Sequence, residues 1–269
     1  MSAPSYEMKH QRARVCGIVA FTTGVVLGLH PGALRAQAPQ GAAPAVQATA
    51  QSTAAIDLTG NWVSVINEDW RWRMVVPPKG DFSSVPLNAE GQRVGNTWEP
   101  SMDGQCQAFG MAGLLRQPTR LRISWQDAGT LKIDTDNGVQ TRLLKFDPAA
   151  PKPTRRSLQG HSMATWERAG GGGRRGGGPP APGGSLKVVT DTLASGWLRR
   201  NGVPYSEGAL VTEYFDRFTA PNGDEWFSVT TIVNDSKYLN QEFVTSTHFK
   251  KEADGSKWSP SPCRTAASS

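Results

Sequence analysis

The chain has 269 residues, of which 38% are hydrophobic and 19% are charged, and its formal net charge at pH 7 is +6. It contains no P-loop, no Rossmann glycine fingerprint and no G-x-S-x-G nucleophile elbow, and no cysteine pair has the spacing of a zinc site. These absences exclude the familiar forms of nucleotide chemistry and serine hydrolysis. The sequence predicts no cofactor and no metal.

Residues 1–38 have the three parts of a secretory signal peptide. Basic residues precede an apolar run at residues 15–29, and Ala36-Gln37-Ala38 matches a cleavage site. An uncleaved anchor is the alternative, but the run is shorter than a membrane span. Cleavage removes four cations and one anion, which lowers the net charge to +3. We therefore expect a periplasmic or secreted protein with no membrane insertion after cleavage and no nucleic-acid partner.

Residues 39–55 are rich in Ala, Gln and Pro, which predicts a flexible, disordered spacer. From residue 56 to residue 269, short alternating segments are separated by turn residues, a pattern typical of one all-β domain. The predicted strands are residues 61–66, 70–74, 121–125, 131–135, 140–146, 160–168, 186–190, 209–218, 225–233 and 242–250. With about nine or ten strands, we expect a single antiparallel barrel or strongly curved sheet, because closure removes exposed sheet edges.

A Gly- and Pro-rich segment at residues 169–184 interrupts this pattern and is predicted to be a disordered loop inside a hairpin. The alternative is an arginine-glycine tract for nucleic acid, which an exported protein does not favour. Cys106 and Cys263 are the cysteines that remain after cleavage, and an oxidising compartment favours a disulfide between them. Two unpaired buried thiols are the alternative.

Gly60-Asn61-Trp62, at the start of the first predicted strand, resembles the G-x-W signature of lipocalins and related calycins. The resemblance implies a barrel in which the tryptophan closes one end and a late basic residue, Arg264 or Lys257, packs over its ring. Three further segments are similar to segments of uncharacterised secreted bacterial proteins: residues 202–207, 212–218 and 258–263. That second resemblance implies no activity.

Tryptophan and arginine alternate at residues 70–73, directly after two acidic residues. In a strand, Trp70 and Trp72 share one face, and Arg71 and Arg73 share the other. Such faces suit an aromatic or amphipathic anion, since arginine binds a carboxylate through two hydrogen bonds and tryptophan packs against apolar surface. The alternative is a tryptophan core with outward, paired arginines. The other predicted ligand contacts are Arg122, Trp125 and Tyr205, and further cations near strand ends are Arg116, Arg142, Arg199 and Arg200.

His161 and His248 are the histidines that remain after cleavage, and they are candidate general acids or bases because imidazole titrates near neutral pH. Glu213 and Tyr214 are their candidate catalytic partners. Catalysis requires a histidine and one of these groups to converge inside the barrel. A structural role for each histidine is the alternative.

Three functions remain open from the sequence. The first is a barrel that binds a small amphipathic or aromatic, anionic ligand in a cavity lined by Trp70, Trp72 and Trp125. The second is a cofactor-free lyase, isomerase or hydratase that uses a histidine with a carboxylate or tyrosine. The third is a cell-envelope interaction protein without a pocket. The sequence does not determine the oligomeric state.

Overall fold

The computed structural model describes residues 48–103, 106–168 and 183–263. In chain order the strands are β1 (Gly60–Val65), β2 (Arg120–Asp127), β3 (Thr130–Thr135), β4 (Asn137–Gly138), β5 (Thr141–Lys145), β6 (His161–Arg168), β7 (Gly184–Asp191), β8 (Gly196–Arg199), β9 (Val203–Tyr205), β10 (Leu210–Thr219), β11 (Glu225–Asn234), β12 (Phe243–Glu252) and β13 (Ser261–Pro262). Nine of them form a closed barrel, which confirms the all-β class. Outside the barrel, β4 pairs with β13 and β8 pairs with β9.

The barrel strands follow one another around the wall in the order β1-β2-β3-β5-β6-β7-β10-β11-β12, and β12 returns to β1. Strand directions cannot alternate all the way around a ring of nine, so one neighbouring pair must be parallel. That pair is β5 and β6, in contrast to the expected antiparallel barrel. Residues 146–160 form the crossover, since parallel neighbours need about a dozen or more connecting residues.

Long connections cover the end of the barrel at which β1 finishes and β2 begins. They contain the helices α1 (Trp70–Arg73), α2 (Ala89–Thr97) and α3 (Met111–Leu114), and 3₁₀ turns at Pro100–Asp103 and Gln107–Phe109. We call residues 66–103, 106–119 and 192–209 the cap, and we call the opposite end of the barrel the base. The cap contains its own apolar cluster. Within the described ranges, no helix has the length and hydropathy needed to span a bilayer.

The strand predicted at residues 70–74 is wrong, because this segment forms the one-turn helix α1. The backbone at Asp69 is left-handed (φ 53°), and the amide of Met74 bonds to the carbonyl of Trp70. β1 has already ended at Val65, so the segment has no strand to pair with. Ion pairs from Glu68 and Asp69 to arginines then hold it in a turn, and tertiary contacts override the alternating pattern.

Aromatic side chains fill the interior of the barrel towards the base. Trp62 lies 4.7 Å from Phe227 between ring centroids, and Phe227 lies 4.8 Å from Phe249. All three side chains are fully buried in a continuous cluster with aliphatic residues of most barrel strands. This half of the barrel is therefore a packed core.

The three tryptophans expected to line one cavity lie apart. Trp70 is 62% exposed on α1. Trp72 belongs to the cap, whereas Trp125 lies at the base, with its ring 5.6 Å from Phe146. Trp125 stands on β2 beyond Ile123, which pairs with Gly60 at the start of β1. The two tryptophans are thus separated by the length of the barrel.

Trp62 takes the kind of position that the lipocalin resemblance implies. Its indole donates to the carbonyl of Leu58 over 2.8 Å, and a cation lies over its ring. That cation is Lys251, 5.5 Å away, whereas Lys257 lies near Glu252. The other candidate, Arg264, lies outside the described residues. Lipocalin barrels have eight strands, so the nine-stranded wall shows a barrel without confirming that family.

Cys106 and Cys263 form a disulfide, with 5.6 Å between their Cα atoms. The predicted signal peptide, the spacer up to residue 47 and residues 169–182 of the loop predicted at 169–184 lie outside the described residues. The end of that predicted loop differs, because Gly184 begins β7. The rest of the spacer, residues 48–55, forms turns against the base. There the indole of Trp166 donates to the carbonyl of Ala50 over 2.9 Å.

Candidate functional site

Three arginines from separate segments of the cap are almost completely buried. Arg73 ends α1, Arg116 follows α3, and Arg199 ends β8; their exposed fractions are 3%, 6% and 3%. Arginine is rarely buried to this extent unless it is paired. Their pairing therefore decides what this part of the cap can bind.

Two of the three arginines have a carboxylate partner. Arg73 donates to Glu68, and its Nε also donates to the carbonyl of Arg116 over 3.0 Å. Arg116 bonds to Asp69 over 2.8 Å. Both acidic residues belong to the segment that leads into α1, and their side chains are about one third exposed. The acidic pair and α1 thus form one side of the site.

Arg199 has no carboxylate partner among the described residues. Its Nη1 donates to the backbone carbonyl of Ser83 over 2.6 Å, and its guanidinium lies 4.9 Å from the ring of Trp72. The ring of Trp72 is fixed by a hydrogen bond from its indole to Asp81, at 3.2 Å. Asp69 and Asp81 act on this guanidinium only at longer range, without a hydrogen bond to it. A buried positive charge without a direct anionic partner is costly.

A small, partly open cavity of about 10 Å³ lies between these side chains, and we call it the arginine cavity. Among the described residues, four guanidinium nitrogens of the three buried arginines have no acceptor: Arg73 Nη2, Arg116 Nη1, Arg199 Nε and Arg199 Nη2. The cavity is lined by Trp72, Arg73, Arg116, Gln117, Leu198, Arg199 and Arg200. Its volume suits one water-sized atom or group, such as one oxygen of an anion.

Burial and the repulsion between neighbouring guanidinium groups both disfavour the charged forms of the buried arginines. Removal from water, with the nearby charge of Arg116, lowers the pKa of Arg199 to about 10. Burial also lowers the pKa of Arg73 to about 10, although Glu68 opposes that shift. Both groups remain protonated at neutral pH. An anion in the cavity would stabilise all three arginines together.

The β8–β9 hairpin positions Arg199 through a turn that needs glycine. Gly202 has φ +80°, and a Cβ there would lie 2.1 Å from Cγ of Trp98. Asn201 is fully buried and donates to the carbonyls of Pro78 and Asp81, at 3.0 and 2.9 Å. The turn is thus held against the segment that follows α1.

Of the ligand contacts predicted at residues 70–73, the structure brings two into the cavity. Trp72 and Arg73 line it, whereas Trp70 is exposed. Arg71 is also exposed, with its guanidinium 5.8 Å from the ring of Trp72. In a strand, Trp70 and Trp72 would share one face and Arg71 and Arg73 the other, but in a helical turn the members of each pair point in different directions.

The remaining predicted ligand contacts lie elsewhere. Arg122 is on the outer wall, where it stacks on Trp258 at 4.3 Å. Trp125 belongs to the base cluster with Trp166. Tyr205 is fully buried in the cap, and its hydroxyl has no hydrogen-bond partner among the described residues. Burial raises the pKa of that hydroxyl.

The predicted catalytic groups do not converge. Glu213 faces the interior and forms two hydrogen bonds with Arg142, at 2.7 and 3.2 Å. Its neighbour Tyr214 faces outward beneath Lys187.

The two histidines also lie outside the barrel interior. His161 alternates with the inward-facing Ser162, and its Nε2 has no hydrogen-bond partner in the part of the chain that the structure describes. His248 alternates with inward threonines and lies 3.2 Å from Glu68. The enzyme hypothesis therefore has no assembled acid–base pair among these residues.

The alternation at residues 70–73 does not point to Arg116 or Arg199. Both are remote from α1 in sequence, and only the tertiary fold brings them to it. One sequence feature does indicate Arg199: the Arg199-Arg200 pair directly precedes the turn at Asn201-Gly202, and such a turn holds adjacent side chains in place.

No family model, curated protein or solved structure matches this chain. Within residues 48–103, 106–168 and 183–263, no three His, Cys, Asp or Glu side chains are grouped as metal ligands.

Proposed function

We propose that this is an exported β-barrel protein that binds a small ligand through an anionic group, and that the arginine cavity receives that group. The buried Arg199 carries the proposal, because it has no carboxylate partner among the described residues. Leaving a buried charge unpaired costs several kcal/mol. An oxyanion would supply both the missing charge and acceptors for the unpartnered nitrogens.

A carboxylate is the ligand group that fits best. The cavity has room for one carboxylate oxygen, which can accept charge-assisted hydrogen bonds from more than one of the unpartnered guanidinium nitrogens. The filled base restricts the ligand to the cap end, so the rest of the molecule lies outside the barrel interior. The disulfide supports export, because such bonds persist in oxidising compartments.

The test is a thermal-unfolding series of the purified protein with formate and benzoate, alongside the variant Arg199→Met. A saturating ligand stabilises by about 2.7 kcal/mol at a hundred times its Kd, which for a domain of this size raises Tm by roughly 5–10 °C. We expect this rise in the native protein and its loss in Arg199→Met.

Arg93→Met is the matched control. Arg93 is exposed on α2 and pairs with Glu90, so its removal leaves the cavity intact. An equal rise in all three proteins would mean that the anions act generally, and it would overturn the proposal. Arg199→Lys keeps the positive charge but lacks the planar guanidinium group, and we expect this variant to show a smaller rise in Tm. Native mass spectrometry of protein purified from its own source then identifies the natural ligand.

A further inference from the structure

The carboxylate of Glu68 is shared between the arginine cavity and a histidine on the barrel wall. Its Oε1 accepts a hydrogen bond from Nη1 of Arg73, which lines the cavity. Its Oε2 lies 3.2 Å from Nδ1 of His248 on β12. One carboxylate thus connects an imidazole, which can hold a proton, to a cation of the proposed binding site.

The charge on His248 changes the charge balance of this group. With a neutral imidazole, Glu68 and Arg73 cancel each other. With an imidazolium, one carboxylate faces two cations, and the group gains a net positive charge. The side chains of His248 and Glu68 are both about 30% exposed, so solvent weakens this effect without abolishing it.

The other groups packed around His248 leave Glu68 as its charged partner. In register with it stand Val65 of β1 and Ser228 of β11, neither of which is charged. Lys250, the next outward residue of β12, bonds to Asp224 over 2.6 Å. On the cavity side, Asp69 is paired with Arg116, and Arg199 adds a further cation.

We propose that the arginine cavity takes up its anion together with a proton, which His248 holds beside Glu68. This inference rests on the proposed function and adds a second ligand, the proton, to the same site. Protonation makes the cavity more positive and draws Glu68 away from Arg73, so the anion binds more tightly. By linkage, a bound anion favours the imidazolium to the same degree.

The experiment is isothermal titration calorimetry of the full chain with benzoate at pH 5.5 and pH 8.0, in two buffers of different ionisation enthalpy. Benzoate is almost fully ionised at both pH values, so a difference in its affinity between them arises from protonation of the protein. We expect affinity about five-fold higher at pH 5.5, the lower end of common coupling strengths. Near neutral pH, the two buffers should show proton uptake on binding.

Two histidine variants and one carboxylate variant locate the effect. His248→Gln should bind benzoate with an affinity that no longer depends on pH. His161→Gln should keep the native ratio of the affinities at pH 5.5 and pH 8.0. Glu68→Gln removes the shared carboxylate. We expect it to bind benzoate more tightly at both pH values and to show a smaller ratio between the two affinities.

The outcomes separate the two proposals. If the native chain binds no benzoate at either pH, both the binding function and the proton coupling are wrong. Binding of equal strength at both pH values refutes the coupling alone, as does a pH dependence that survives in His248→Gln.

Discussion

Arg142 and Glu213 are buried charges inside the barrel, and they mark the boundary of its apolar core. Their side chains are 0% and 1% exposed. A hydrogen bond of 2.8 Å between Ser162 and Thr190 lies in the same cap-proximal half of the wall. The base half, in contrast, holds aromatic and aliphatic side chains. The interior therefore has a polar layer beneath the cap, and each charge in it depends on its partner.

Glu213→Gln should destabilise the protein by about 3–5 kcal/mol, because Arg142 is left buried without a counter-charge. Replacing both residues, as in Arg142→Met with Glu213→Leu, should cost less than the single change. Urea unfolding measures both free energies. The exposed pair of Glu90 and Arg93 is the control, and its removal should leave the midpoint unchanged. A double variant as unstable as the single one would contradict this account.

At the scale of elements, the β8–β9 hairpin brings Arg199 to the arginine cavity. It packs beneath Trp98 and against the 3₁₀ turn that follows the disulfide. Since Gly202 stands where the hairpin turns, the site depends on a residue that touches no ligand.

Gly202→Ala tests this dependence. A side chain at positive φ costs about 1–2 kcal/mol, and the overlap with Trp98 adds about 1–3 kcal/mol. Gly223→Ala is the matched control, because Gly223 has φ +85° with nothing within 4 Å of an added Cβ. We expect only Gly202→Ala to lose the anion-dependent rise in Tm. Equal losses of stability in the two variants would show that the contact with Trp98 is unimportant.

The element scale also shows how far the sequence alone can predict this fold. The alternation at residues 121–135 predicts β2 and β3 correctly, because each of those strands has a neighbour on both sides and one buried face. The same alternation at residues 70–73 fails, since no neighbouring strand is present there. A periodic pattern predicts a strand only where the tertiary fold provides a partner.

At the scale of the whole molecule, the disulfide joins the cap to the C-terminal segment. Cys106 directly precedes the turn Gln107–Phe109, and the carbonyl of Ala108 accepts a hydrogen bond from Gln117 of the cavity. Cys263 follows β13, which pairs with β4 within the β3–β5 connection. The covalent link thus fastens the part of the cap that lines the arginine cavity.

Removing the disulfide, as Cys106→Ser with Cys263→Ser, should lower the free energy of unfolding. The chain-entropy model gives about 5 kcal/mol as an upper value for a loop closed across 157 residues. Reduction of the native protein should lower Tm to that of the double variant, which calorimetry with and without reductant can measure. An unchanged Tm after complete reduction would mean that the cap holds together without the bond.

The sequence by itself determined the class of the fold, most barrel strands and the cysteine pair that the structure joins, because these depend on local alternation and on residue counts. It also singled out Trp72 and Arg73 of the candidate site. Only the tertiary structure decided that the base is filled, that the histidines lie outside it and that Arg116 and Arg199 meet α1. The physical reason is that packing and charge pairing join residues remote in sequence, and alternation along one segment carries no information about which distant side chains will meet.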